Sequence, residues 1–171
     1  MAGILKNSGS CRSDSLISFL VIGPAEFCGH IHKGLYESAK ERKWCISLHQ
    51  CELVEEIIRS KLVLGIDFII FALDCRTSQS LIEVETNISL IDEYYLISGA
   101  ACLVSCTGVS NFMGLTFCKS QKLRNKYNIR FLSANVFNLD GCVQLARRIL
   151  NITEAVLGVT SGIPVLDAVN I

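Results

Sequence analysis

A short apolar run over residues 16–22 ends at Gly23 and is followed by a segment with the pattern of a helix. A buried strand that leads through a turn into a helix is typical of the first unit of an α/β nucleotide-binding sheet. Such a unit needs further parallel strands beside it and helices over the faces of the sheet. The sequence therefore predicts an α/β fold organised around this first strand.

The turn after Gly23 lacks the side chains that hold a nucleotide. In a phosphate-binding loop, four residues separate the first glycine from Gly-Lys-Ser/Thr, whose lysine, hydroxyl and backbone amides bind phosphates and Mg²⁺. Here five residues separate Gly23 from Gly29, and His30 follows where the lysine is needed. Pro24 removes an amide donor, and Glu26 would place a negative charge against the phosphates. The topology favours a nucleotide site, but the side chains argue against one.

Strand and helix patterns alternate along the rest of the chain. Residues 66–73 are β-forming apolar residues interrupted once by Asp67, which is typical of a central parallel strand. Residues 44–51 alternate in polarity, as in a half-buried edge strand. The predicted strands are 16–22, 44–51, 66–73, 100–106 and 129–133, and the predicted helices are 29–43, 52–62, 77–95, 115–127 and 139–157.

These elements predict a three-layer, doubly wound, mostly parallel α/β sheet, because the connections are long enough to cross a face of the sheet. A chain of 171 residues fits one domain with a substantial core. We expect residues 1–14 to form a flexible arm and residues 15–157 to form the domain. Residues 158–171 are expected to be an apolar tail that packs on the domain or on a partner.

Composition limits the kinds of partner. Half of the residues are apolar and the mean hydropathy is +0.42, so we expect some apolar surface to be covered by another protein. Sixteen basic and sixteen acidic residues give no net charge, which argues against direct binding to nucleic acid. The nine cysteines include no Cys-x-x-Cys pair, so we expect reduced thiols. We expect no signal peptide and no membrane segment, since residues 62–73 are too short to span a bilayer.

No metal site or catalytic motif is predicted. His30 and His32, with Cys28 nearby, could suggest a metal, but two imidazoles at that spacing diverge on a helix and no carboxylate joins them. Asp74 could hold Mg²⁺ in a working nucleoside triphosphatase, but we expect it to be a loop residue that caps a helix. The nucleophile and dinucleotide motifs Gly-x-Ser-x-Gly and Gly-x-Gly-x-x-Gly are absent.

The order of these segments resembles that of the Ras-like small GTPases. Residues 66–74 are similar to the strand of that family that ends in Asp, residues 101–109 to the strand that ends in Asn-Lys-x-Asp, and Ser133-Ala134 to the Ser-Ala-Lys loop. The resemblance implies a small-GTPase-like fold, but the residues that would grip a nucleotide are replaced, and no Asp-x-x-Gly occurs. The degenerate positions are Gly23, Gly29, His30, Cys106, Thr107, Val109, Ser133 and Ala134.

The same positions leave two interpretations open. The first is a pseudo-GTPase, a non-catalytic scaffold that neither binds nor hydrolyses GTP. The second is a divergent small GTPase with weak nucleotide binding that acts as a switch. Between the first helix and the strand at residue 66 there is room for one clear strand and one short helix, which is too little for two switch segments and a hairpin.

A more specific resemblance is to the centromere protein M family. It is carried by residues 66–74, 80–92 and 102–108 and by the tail segment 158–167. The resemblance implies a nucleotide-free, non-enzymatic subunit of the inner kinetochore in the nucleus. It also implies binding to the helical-repeat centromere protein I, in a complex with centromere proteins H and K, with no cofactor, nucleic acid or membrane contact.

An adaptor of this kind needs an exposed apolar surface. Two groups of apolar residues are candidates, one near the end of the predicted helix 77–95 and one in the tail. Either group could instead fold back on the core of the domain. The candidate interface residues are Tyr94, Leu96, Ile97, Ile163, Val165 and Leu166.

Overall fold

A five-stranded parallel sheet forms the centre of the part of the chain that the structure describes. The computed structural model describes residues 5–6, 16–61, 64–107 and 114–158, with backbone only at 5–6 and 114–117. The described strands are β1 (Leu5–Lys6), β2 (Ile17–Ile22), β3 (Ile46–Cys51), β4 (Leu64–Gly65), β5 (Phe68–Leu73), β6 (Ala101–Ser105) and β7 (Arg130–Ser133).

The order across the main sheet is β3-β2-β5-β6-β7, and every neighbouring pair is parallel. This order is that of the flavodoxin-like doubly wound sheets, and it is consistent with a small-GTPase-like arrangement. All six residues of β5 are buried, which confirms the predicted central strand. β3 lies at one edge of the sheet, as its alternating pattern predicted.

Helices cover both faces of the sheet. They are α1 (Ala25–Glu41), α2 (Val54–Ser60), α3 (Ser78–Leu90), α4 (Glu93–Ile97), α5 (Gly114–Tyr127) and α6 (Leu139–Leu157). The connection through α1 runs toward β3, whereas the connections through α2, α3 and α5 run toward β7. Because parallel crossovers are right-handed, α1 lies on one face of the sheet and α2, α3 and α5 lie on the other. α6 packs on α1, whereas α3 packs on α2 and α5. The predicted three-layer, doubly wound α/β fold is therefore confirmed.

The close contact between α1 and α6 depends on Gly34. A Cβ atom at this position would lie 2.8 Å from the backbone oxygen of Cys142, so only glycine lets the two helices approach this closely. Two ion pairs add to the contact: Arg42 to Glu154 at 3.2 Å, and Arg147 to Glu41 at 3.0 Å. Both are partly or largely exposed, so packing contributes more than charge here.

Two helix boundaries differ from the predicted ones. α1 begins at Ala25, four residues before the predicted start, because Pro24 has a φ of −54° and leads directly into the first helical turn. The predicted helix 77–95 is in fact two helices. α3 is capped by Thr77 and stops at Leu90. The Asp92 carboxylate accepts a hydrogen bond from the Tyr94 amide and starts α4.

Parts of both predicted terminal segments lie outside the described residues. Within the expected arm, Leu5 and Lys6 form β1 and pair with Leu64 and Gly65 of β4. The rest of that arm and residues 159–171 of the tail are not described. No helix in the described ranges is long and apolar enough to cross a membrane.

The packing at Gly34 predicts opposite effects for two glycines of α1. We expect Gly34→Ala to lower the free energy of unfolding by about 1–3 kcal/mol, because the new methyl group forces α1 and α6 apart. Gly29→Ala is the control: nothing lies within 4 Å of its Cβ position, so the higher helix propensity of alanine should stabilise the protein by about 0.5–1 kcal/mol. Urea denaturation measures both, and equal shifts would contradict the close contact.

Candidate functional site

The strand order reverses direction between β2 and β5. In open α/β sheets, ligands bind in the crevice beyond the carboxyl ends of the strands at this point. The segments that reach it here are the turn at Gly23, after β2, and the segment at Asp74, after β5. The carboxyl edge of the sheet is therefore the first candidate site.

The turn between β2 and α1 consists of Gly23 and Pro24 alone. Gly23 has a φ of +150°, and a Cβ atom there would lie 2.6 Å from the Ala72 backbone oxygen, so the position requires glycine. Its amide already donates to the Cys51 carbonyl at 2.9 Å. Gly29, the predicted second loop glycine, lies inside α1 and is exposed. Two residues make a turn too short to wrap a phosphate in backbone amides as a phosphate-binding loop does.

Buried thiols occupy this edge. The Cys28 thiol lies 3.3 Å from the Gly23 carbonyl oxygen, and the Cys106 thiol lies 3.6 Å from that of Val104. Burial raises the pKa of Cys28 to about 11, and the negative charge of Glu52 adds to this effect. These thiols remain protonated at neutral pH, so they act as small packing groups and weak donors and not as nucleophiles.

Asp74 is held by a side chain of its own loop. The Arg76 guanidinium donates to both carboxylate oxygens, with Nε–Oδ1 and Nη2–Oδ2 distances of 2.9 Å each, and the Arg76 amide donates to Oδ1. Burial alone would raise the pKa of Asp74, but the bonds from Arg76 outweigh burial and lower it. The carboxylate is thus charged and already paired, and it sits in the loop before α3 as expected, although Thr77 and not Asp74 caps that helix.

The predicted base-reading positions come together but bring no charged group. Cys106 is fully buried and its amide donates to the Leu73 carbonyl at 3.0 Å. Thr107 forms an isolated bridge with Asn135. The Ala134 amide donates to the Ser105 carbonyl, and Ser133 pairs with Ser105 in the β6–β7 register. Val109 lies outside the described residues.

The two histidines point to different neighbours. The His30 ring lies edge-on to Phe137, with a centroid distance of 5.4 Å. The His32 Nε2 donates to the His49 carbonyl of β3 at 3.3 Å. Among the residues that the structure describes, no three His, Cys, Asp or Glu side chains are placed to hold a metal ion.

Sequence reasoning missed an aromatic cluster at the carboxyl edge. Phe27 and Phe137 meet edge-to-face at 5.6 Å, and the Arg76 guanidinium lies 5.9 Å from the Phe27 ring centre. These side chains come from three separate loops and helix ends, so no periodic pattern connects them. The cluster further fills the edge at which a ligand would enter.

The second candidate site is the surface of α4 at the opposite edge. The Tyr94 and Ile97 side chains are 52% and 77% exposed, whereas Leu96 is half-buried against the core. Tyr95 between them is buried, and its hydroxyl donates to the Ile66 carbonyl at 2.8 Å. This anchor fixes α4 and leaves two of the three predicted residues of this group facing outward.

The end of α6 lies beside α4. A Cβ atom placed on Gly99, two residues after Ile97, would be 3.9 Å from the Val156 side chain. α6 ends at Leu157, and Gly158 follows in the left-handed conformation with a φ of 63°. The last described residue, Gly158, therefore lies near α4, and Ile163, Val165 and Leu166 lie outside the described residues.

A comparison with models of sequence families shows to which family the chain belongs. The centromere protein M (CENP-M) family matches residues 51–171, which is more than half of the chain. The chain belongs to the centromere protein M family. The matched segment contains α4, α6 and the tail, and it begins at the last residue of β3.

Comparison with solved structures finds likenesses to this centromere protein M family member at low identity. An oxidoreductase from Corynebacterium diphtheriae is 12% identical with a TM-score of 0.50, and the match covers 84% of this chain and 96% of that one. Rubredoxin:oxygen oxidoreductase from Desulfovibrio gigas is 11% identical with a TM-score of 0.48, and the match covers 91% of this chain but 38% of that one. These likenesses concern the fold alone. No curated protein sequence matches the chain.

The environment of His32 predicts a dependence of stability on pH. Burial lowers the pKa of His32 below its usual value, although the hydrogen bond to the His49 carbonyl opposes this. The His32 imidazole therefore binds a proton more tightly in the unfolded state than in the folded state. The free energy of unfolding should then fall as the pH drops below about 6.5. Urea denaturation between pH 7.5 and 5.5 measures this slope. His32→Gln should reduce it, and an unchanged slope would contradict the assignment.

Proposed function

We propose that the chain is a non-catalytic adaptor subunit of the inner kinetochore that acts in the nucleus during cell division. Membership of the centromere protein M family makes it a centromere protein. The proposed partner is the helical-repeat centromere protein I, in a complex with centromere proteins H and K. The proposed role is to bind and stabilise that partner through an apolar surface.

The observation that carries this proposal is the exposure of Tyr94 and Ile97 on α4. Large apolar side chains on a rigid element are the usual anchors of protein interfaces. The buried Tyr95 fixes their position, so binding would not require α4 to reorganise. A helical repeat offers the grooves between helices into which such anchors fit.

We propose that the tail contributes to the same interface. Ile163, Val165 and Leu166 follow the end of α6 in the sequence, and the end of α6 lies beside α4. Two side chains alone are too small for a stable interface, which needs about 800 Å² from each protein. We propose that α4 and the tail supply this area together.

We also propose that the fold does not use GTP. The two-residue turn at Gly23, the Arg76–Asp74 pair and the absence of a phosphate lysine support this proposal. The alternative, a divergent GTPase that binds nucleotide weakly, would have to bind phosphates without these groups.

The adaptor proposal predicts a selective loss of partner binding. We expect Ile97→Glu and Leu166→Glu each to weaken capture of the purified centromere protein I complex by about tenfold or more, because a charge would be buried in the interface. Leu139→Glu is the control, since Leu139 is 59% exposed at the carboxyl edge, away from α4. Thermal melts check that each variant is folded. Wild-type binding by both variants would refute the proposed surface.

The nucleotide proposal has its own test. We expect GTP, GDP or FMN, each with Mg²⁺, to leave the melting temperature of the protein unchanged, because ligand that does not bind the folded state cannot stabilise it. FMN is included because it is the ligand of the flavodoxin-like sheets. A magnesium-dependent rise with GTP would favour the divergent GTPase.

A further inference from the structure

The basic residues of this neutral chain are unevenly distributed. Between Glu93 and Asp140 the sequence contains no acidic residue. The same stretch contains five of the sixteen basic residues, all within positions 119–130. Although the net charge of the chain is zero, this stretch is locally positive, and most of its basic residues lie in α5.

Three lysines of α5 lie along one side of the helix. Lys119, Lys122 and Lys126 are spaced three and four residues apart, and all three are exposed; we refer to them as the basic stripe. Lys126 pairs with Glu85 of α3 at 2.6 Å. Lys119 and Lys122 form no ion pair with any residue that the structure describes. Like charges at these spacings destabilise a helix, so an opposite charge from another molecule would relieve a cost that the domain bears alone.

An exposed apolar residue lies beside the basic stripe. Ile82 of α3 is 59% exposed and lies one turn before Glu85. α3 and α5 run in the same direction, since both connect neighbouring parallel strands, and Lys122 lies about one turn before Lys126. Because Glu85 contacts Lys126, Ile82 is placed level with Lys122. The α3–α5 surface thus combines positive charge with one apolar group.

We propose that this surface, formed by the basic stripe and Ile82, binds a short acidic segment of a partner protein that carries an apolar side chain among its carboxylates. Lys119 and Lys122 pair with the carboxylates, and Ile82 contacts the apolar side chain. The surface lies on α3 and α5 and does not include α4. The proposal is independent of the adaptor function proposed above.

The dimensions favour a protein segment over nucleic acid. The basic stripe spans eight residues, or about 10 Å of helix, which is too short to follow a phosphate backbone over many contacts. A side chain such as Ile82 gains nothing from phosphates but packs well on an apolar residue.

The test uses the full chain and a fluorescein-labelled ten-residue peptide of glutamates with one central leucine. Fluorescence anisotropy should show binding that weakens between 50 and 200 mM salt. We expect Lys119→Glu combined with Lys122→Glu to weaken binding by about tenfold or more, and the milder pair Lys119→Gln and Lys122→Gln to weaken it less. Lys33→Glu combined with Arg148→Glu, with the same change in net charge on α1 and α6, is the control and should bind like wild type.

The remaining comparisons identify the partner chemistry. Ile82→Ser should weaken binding of the leucine peptide but not of a peptide with serine in its place. If the stripe and control variants lost peptide binding equally, or if neither lost any, the proposal would be overturned. Tighter binding of a twelve-base-pair DNA duplex than of the acidic peptide would overturn the choice of a protein partner.

Discussion

Complete burial of β5 determines where the other elements of this domain lie. A strand buried on both faces needs parallel neighbours on both sides and helices above and below. Each connection must then cross a face, so all strand-to-helix turns lie at one edge and all helix-to-strand turns at the other. The fold therefore has two edges of different character: a carboxyl edge with Gly23 and Asp74, and an amino edge with α4 and the end of α6.

The two edges of the sheet differ in which side chains are paired within the chain and which remain exposed. At the carboxyl edge, two of the groups that could meet a ligand are paired within the chain: Arg76 holds Asp74, and the Cys28 thiol faces the Gly23 carbonyl. At the amino edge, a buried tyrosine anchors a short helix whose outer side chains remain exposed. Doubly wound proteins generally bind ligands at the carboxyl edge. We propose that this centromere protein M family member instead makes its protein contacts at the opposite edge, through the exposed side chains of α4.

Elements with strong periodicity could be predicted from the sequence, whereas features set by single local bonds could not. The predicted helix 139–157 matches α6, because its apolar stripe is long and Asn138 and Gly158 cap its ends. The break between α3 and α4 was missed because the apolar spacing continues through Tyr95 while one side-chain bond from Asp92 starts a new helix. The Arg76–Asp74 pair forms within a single loop, and the Phe27–Phe137 contact joins two segments far apart in the sequence, so no sequence period indicates either.

The brevity of the Gly23–Pro24 turn limits how this chain could evolve toward nucleotide chemistry. A lysine or a serine could arise by point substitution, but the backbone would still pass from strand to helix in two residues. The amides of Ala25 and the residues after it already belong to a helix that packs on its neighbour. A loop that wraps a phosphate in backbone amides, as a phosphate-binding loop does, would therefore require an insertion at this turn.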